Sequence, residues 1–234
     1  MTTGEPKRTL YRTGAILDAA PVAAAYFVVA WVFGIAALKA GFPLWLPVAM
    51  CMFVYAGASQ FSALALLAAQ ASAPTIVLAT LLINARHALM SIYMARALIP
   101  LGLTVRQRWE YGLGLTDESF AVHSARLTRD EIRSGDELIV FNVTCHVAWI
   151  AGALVGGLCA GAFSHIARLR LDFALSAMMV YVLVSLCDTR RKLVSVAVAA
   201  GVMLLLKSRG GSAADLFIAA FAGCGVGTCL KTRA

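Results

Sequence analysis

The stretch LLINARHALMSIYMA, Leu81–Ala95, places an arginine and a histidine next to each other in the middle of a strongly apolar run. An apolar run of this length reads as a membrane-spanning helix, and a charge near its centre is costly unless it faces protein or water. The run extends from about Thr75 to Leu98, with Pro100 as its natural stop, and Arg86 is too deep to reach a headgroup from either end. Asn84, Met90, Ser91 and Tyr93 lie nearby, so the face around Arg86 is not uniformly apolar. Two readings stay open: a polar interior that handles a solute, or a structural arginine pinning two helices together.

Composition sets the frame for that choice. The 234 residues are 61% hydrophobic and 14% charged, with a mean hydropathy of +0.81, against about 25% charged in soluble domains. This predicts an all-α, polytopic integral membrane helical bundle of about seven or eight transmembrane segments, with residues 1–234 as one membrane-embedded domain. In a soluble chain the formal charge of +8 would suggest nucleic acid. Here Lys and Arg lie mainly between apolar runs, as expected of loops that meet anionic headgroups, so no nucleic-acid partner is expected. The apolar run Ala19–Leu38 is too long for a cleaved signal sequence and reads as a retained first helix. Six scattered cysteines form no CxxC pair and read as buried small hydrophobes, with no metal site.

Outward from Arg86, the preceding segment, about Leu44–Leu67, carries the polar cluster YAGASQFSAL, Tyr55–Leu64, which marks either a locally unwound helix or a closely packed one. The following segment, YGLGLTDESFAVHSARL, Tyr111–Leu127, contains Asp117, Glu118 and His123 and is too polar to face lipid. If it crosses, its carboxylates look inward and Arg86 is their natural partner; otherwise it is a surface loop with a short amphipathic helix. Charge counting leaves both open. With Arg86 set aside, eight crossings and an inside N-terminus put 11 of the 19 remaining basic residues inside, and seven crossings with an outside N-terminus put 12 inside.

Later segments are expected at about Ile139–Phe163, Phe173–Leu186, Leu193–Leu206 and Ala213–Leu230. The first of these pairs Gly152 with Gly156 and Gly157 with Gly161, small-xxx-small patterns that allow close helix approach; Gly223 and Gly227 read the same way. His146 reads as a hydrogen-bonded packing residue. Faint echoes between Ala25–Gly34 and Thr144–Gly152, and between Leu46–Tyr55 and Leu175–Tyr181, suggest two related halves with a seam near residues 129–137, an arrangement common in secondary transporters.

Taken together, Pro21, Gly34, the YAGASQFSAL block, LLINARHALM, TDESFA at Thr116–Ala121 and LDFAL at Leu171–Leu175 resemble the AzlC-type branched-chain amino acid exporters over nearly the whole chain. The resemblance implies a multi-pass permease of the bacterial inner membrane that exports branched-chain or other neutral amino acids without a cofactor. It also implies a small AzlD-like membrane subunit as partner. On this reading Ser59, Gln60, Asn84, Arg86 and His87 help build a polar cavity, with Asp117 and Glu118 supplying the opposing charge. Arg86 or a helix N-terminus would take a substrate carboxylate and the acidic pair its ammonium. If export is proton-driven, a carboxylate or His87 carries the proton. Two rival readings are a passive small-molecule channel and an intramembrane serine hydrolase. The GASQ sequence is similar to the rhomboid GASG, with Gln60 where that pattern has glycine; no catalytic residue is expected.

Overall fold

The computed structural model describes residues 5–132, 134–161, 187, 189–210 and 215–230. All regular structure among them is helical. Contacts divide the chain into two compact units, Met1–Met179 and Val180–Ala234. The expected segment Phe173–Leu186, the LDFAL block and the Leu175–Tyr181 echo lie outside the described residues.

In the first unit, α1 (Glu5–Lys39), α4 (Ala73–Ala97) and α7 (Gly135–Cys159) contain the apolar stretches long enough to cross a bilayer. Between them lie two pairs of short helices, α2 (Trp45–Phe53) with α3 (Gly57–Ala68), and α5 (Val105–Leu113) with α6 (Asp117–Thr128). Glycines bring α1 and α7 into backbone contact. A Cβ on Gly152 would strike the Phe27 carbonyl, one on Gly156 the Trp31 carbonyl, and one on Gly34 the Ala153 carbonyl and the Gly157 amide. The partners advance together along both helices, so α1 and α7 run parallel. Gly152 and Gly156 therefore do what their spacing suggests, whereas Gly161 meets nothing within 4 Å.

That parallel pair fixes the course of the rest. The face at which α1 and α7 begin is here the near face. Met94 and Leu98 of α4 share a cluster with Leu138 at the start of α7, so α4 ends at the near face and begins at the far one. α3 leads to Ala73 through four residues and therefore ends at the far face too. α2 starts at that same far face, where Leu44 packs on Gly157. α2 and α3 are thus the two arms of a hairpin that enters from the far side and turns at Val54–Ala56. Tyr55 makes that turn at φ +44°, a left-handed conformation that costs a non-glycine residue on the order of 1 kcal/mol.

The second hairpin enters from the opposite face. Near the start of α5, Gln107 Nε2 donates to Asp136 Oδ1 at the beginning of α7 at 2.9 Å; at its other end Gly114 abuts Asn142, further into the span. α6 returns to the near face, where Arg126 pairs with Asp18 of α1 at 2.8 Å. Thr104 with Gln107, and Thr116 with Ser119, form capping boxes that start α5 and α6. The segment around Asp117 therefore neither crosses nor lies on the surface; it dips in and returns. The segment read as one span over Leu44–Leu67 is likewise a hairpin, so its polar cluster marks a chain reversal.

One span followed by one hairpin is consequently used twice, in opposite orientations. Trp45 and Val105 start nine-residue helices, Gly57 and Asp117 start twelve-residue helices, and each pair of starts is 60 positions apart. This inverted repeat relates α1–α3 to α4–α6. The seam near 129–137 falls instead between α6 and α7. The course of the chain also sorts the charges. Lys7, Arg8, Arg12, Arg96, Arg106, Arg108, Arg126 and Arg129 lie toward the near face, against Lys39 alone at the far face, among the described residues of α1–α7 with Arg86 set aside.

The second unit contains α8 (Arg190–Ser208) and α9 (Asp215–Cys229). They pack through Gly223 against the Ser195 carbonyl and Ala199, and through Gly227 against Ser195 Oγ, as the spacing of the two glycines suggests.

Candidate functional site

The two hairpin tips meet beside the middle of the three long helices. A cavity of about 20 Å³ lies there, lined by Ala56, Gly57 and Ala58 from the first tip and by Thr116, Asp117 and Glu118 from the second. Tyr26 of α1, Arg86 and His87 of α4, Trp149 of α7 and Tyr55 complete the wall. The repeat is visible in this lining: Tyr26 and Arg86 are 60 positions apart, as are Gly57 and Asp117.

Both arginine and acidic pair reach the site, but they separate into two groups. Arg86 Nη2 contacts Asp117 Oδ2 at 2.8 Å, with the two side chains 35% and 18% exposed. Glu118 is buried and turns to α1, where the Tyr26 hydroxyl donates to its Oε2 at 2.5 Å. The same hydroxyl lies 2.6 Å from Thr116 Oγ1. Tyr26 was not singled out in the sequence. Its only signal there is a hydroxyl in the middle of an otherwise apolar first span.

Ser59 and Gln60 sit behind the cavity and brace it. Gln60 is fully buried; its Oε1 accepts from the Ala56 amide at 3.1 Å and from Trp149 Nε1 at 3.1 Å, while Nε2 lies 3.3 Å from Cys51 Sγ. One side chain thus joins the tip of the first hairpin to both of its arms and to α7. Ser59 Oγ donates to the Ala56 carbonyl at 2.9 Å. His146 Nε2 donates to the Cys51 carbonyl at 3.0 Å and its ring stacks on Tyr55 with centroids 4.1 Å apart. The serine–histidine pair a hydrolase needs is not formed by these two residues. Asn84 lies off the cavity wall, with its Oδ1 enclosed and unpartnered.

What remains free at the cavity is informative. Among the described residues six buried side-chain polar atoms have no hydrogen-bond partner, and four of them, Tyr55 Oη, Arg86 Nε, His87 Nδ1 and Glu118 Oε1, belong to the wall of this one cavity. The start of α3 adds to them. It has no side-chain cap, unlike α6, so its first amides and the positive end of its dipole face the cavity without a competing side chain. Donors therefore gather on the α3 and α4 side and an acidic oxygen on the α6 side. Such a set can hold a small zwitterion. At about 20 Å³ the space suits one water and not an amino acid. A solute of that size enters only if a wall moves. No group of three or more His, Cys, Asp or Glu residues that could hold a metal occurs among the described residues.

Comparison with known proteins gives the chain its relatives. Residues 21–163, which run from α1 through the end of α7, match the family model described as AzlC protein. An uncharacterized membrane protein of Helicobacter pylori is 30% identical over 158 residues, covering 66% of each chain. Inner membrane protein YgaZ of Escherichia coli is 33% identical over 141 residues, 59% of this chain and 57% of its own length. The branched-chain amino acid transport protein AzlC of Bacillus subtilis is 24% identical over 164 residues, 70% of this chain and 63% of its own. The matched stretch thus spans less than two thirds of these relatives, from 57% to 66% of their length. No solved structure gives a significant match.

Proposed function

The chain belongs to the AzlC family, and on that premise we propose that it is a secondary transporter that exports branched-chain or similar neutral amino acids across the bacterial inner membrane. It acts as the large subunit of a two-component permease with a small AzlD-like membrane subunit. The observation that carries the reading is the convergence of unpaired donors and an acidic oxygen between two opposed hairpin tips, flanked by helices long enough to span. Discontinuous helices that meet near the midplane are the usual place for a solute in transporters built from inverted repeats. The near face, where eight of the nine basic residues described in α1–α7 lie when Arg86 is set aside, is cytoplasmic on this reading.

The chemistry assigns a role to each wall. The substrate carboxylate takes the first amides of α3 together with the Arg86 guanidinium, and its ammonium takes Glu118 and Asp117. A branched side chain lies against the rings of Tyr26 and Trp149. The Arg86–Asp117 pair keeps both charges tolerable within the bilayer while no solute is held, and opens to receive one. The narrowness of the cavity speaks for a carrier that moves with its cargo over a passive pore. Efflux of a panel of labelled neutral amino acids, from cells with and without this protein and its small subunit, tests the reading. Faster loss of branched-chain amino acids when both are present supports it, and identical loss across the panel overturns it.

A further inference from the structure

A second and much larger space lies next to the cavity. About 940 Å³ in volume, it runs along α7 from Asp136 at the near face past Asn142 and Val143 to His146, with the inner end of α2 and the whole length of α5, from Thr104 to Gly114, as its other walls. Its mouth is polar. Arg106 pairs there with Glu110 at 2.6 Å, and Gln107 donates to Asp136 at 2.9 Å. Tyr55 lines both this space and the 20 Å³ cavity, and among the described residues no other does. On the far side of the cavity the helices are closed by Gln60, by Phe33 against Phe61 with ring centroids 5.1 Å apart, and by the glycine contacts of α1 with α7.

Three properties of Tyr55 bear on its place between the two spaces. Its backbone is held at φ +44° at the hairpin turn, so relaxation of that one residue swings the ring. Its hydroxyl is enclosed without a hydrogen-bond partner, so no polar contact holds the ring shut. Apolar packing holds it, within a buried cluster and against the rings of His146 at 4.1 Å, Tyr26 at 6.2 Å and Trp149 at 6.5 Å between centroids. We propose that the 940 Å³ space is the cytoplasmic access path for a small zwitterionic solute and that Tyr55 is the gate between it and the midplane cavity. Moving this one ring joins the two spaces and gives an amino acid the room the cavity lacks. This rests on the transport reading for the identity of the solute, while the gate itself is tested without any solute.

The test is labelling of introduced cysteines by a membrane-impermeant maleimide, read at each site by peptide mass spectrometry in the otherwise native full-length chain. Val143→Cys reports on the larger space and Ala58→Cys on the cavity. Val143→Cys is expected to label in inverted membrane vesicles and not in intact cells. Ala58→Cys is expected to stay protected in both, and to gain labelling in inverted vesicles only when combined with Tyr55→Ala. Tyr55→Phe keeps the ring and should leave Ala58→Cys protected. Tyr55→Leu repeats the opening with a bulkier residue should the alanine variant fail to fold. Labelling of Val143→Cys from outside, or from neither side, overturns the path. Protection of Ala58→Cys that is unchanged in folded Tyr55→Ala or Tyr55→Leu overturns the gate. Neither outcome depends on which amino acid, if any, the protein carries.

Discussion

Gln60 separates a solute-binding role from a bracing role most cleanly. Its single amide oxygen accepts from two buried donors, the Ala56 N–H and Trp149 Nε1–H, both at 3.1 Å. Leucine fills nearly the same volume but strands both donors away from water. At about 1–3 kcal/mol for each stranded group, Gln60→Leu costs about 2–6 kcal/mol. With about 2–4 °C of Tm per kcal/mol for a chain of this length, the midpoint falls by roughly 5–20 °C. Gln60→Glu, which takes the neutral acid form at this fully buried position, keeps an acceptor for both donors and gives up the amide contact to Cys51 Sγ, so its fall is smaller. Fluorescence-detected size-exclusion chromatography after heating, on detergent-solubilised protein, measures both. A Gln60→Leu midpoint within error of the native one, or a Gln60→Glu midpoint below that of Gln60→Leu, would refute the reasoning.

Other expectations follow from the same geometry. Exchanging the pair as Arg86→Asp with Asp117→Arg restores the stability lost in either single variant but not transport; single losses stay below the roughly 3–5 kcal/mol of a fully buried pair, because Arg86 is 35% exposed. Recovered transport in the exchanged protein would make the pair purely structural. Tyr26→Phe removes the donor to Glu118 Oε2 while preserving the ring, so labelled amino-acid flux falls with little change in the amount of folded protein; unchanged flux would remove Tyr26 from the site. Gly156→Val drives a side chain into the Trp31 carbonyl and costs at least about 1–3 kcal/mol. Gly161→Val, with open space around the residue, leaves the monodisperse fraction unchanged.

The polar content of the site was legible in the sequence, and its topology was not. Arg86 announced itself by cost, and the next segment, too polar to face lipid, offered Asp117 and Glu118 as partners; the ion pair to Asp117 follows that logic. The hairpins were hidden because their two arms together, as in Leu44–Leu67, are as long as a span, and length is the main signal for crossing. The break itself falls at Val54, Tyr55 and Ala56, residue types that announce no turn, with the left-handed conformation carried by a tyrosine. Ser59 and Gln60 stood out as polar, but hydrophobic patterning cannot tell whether an amide faces a solute or ties down a backbone. The capping signature Thr104-x-x-Gln107 was a local sign that a separate helix begins there. The 60-residue repeat is carried by element lengths, with little identity between the copies.

The central claim is that an amino acid is held between the two hairpin tips. It is tested most directly by equilibrium binding of labelled branched-chain amino acids to the purified protein in a scintillation proximity assay. Native protein is compared with Ala58→Leu, which fills the cavity, and with Glu118→Gln, which removes the charge opposite α3. The account predicts saturable binding to the native protein and its loss in both variants, with thermal midpoints near the native value. Undiminished affinity in the two folded variants would contradict it.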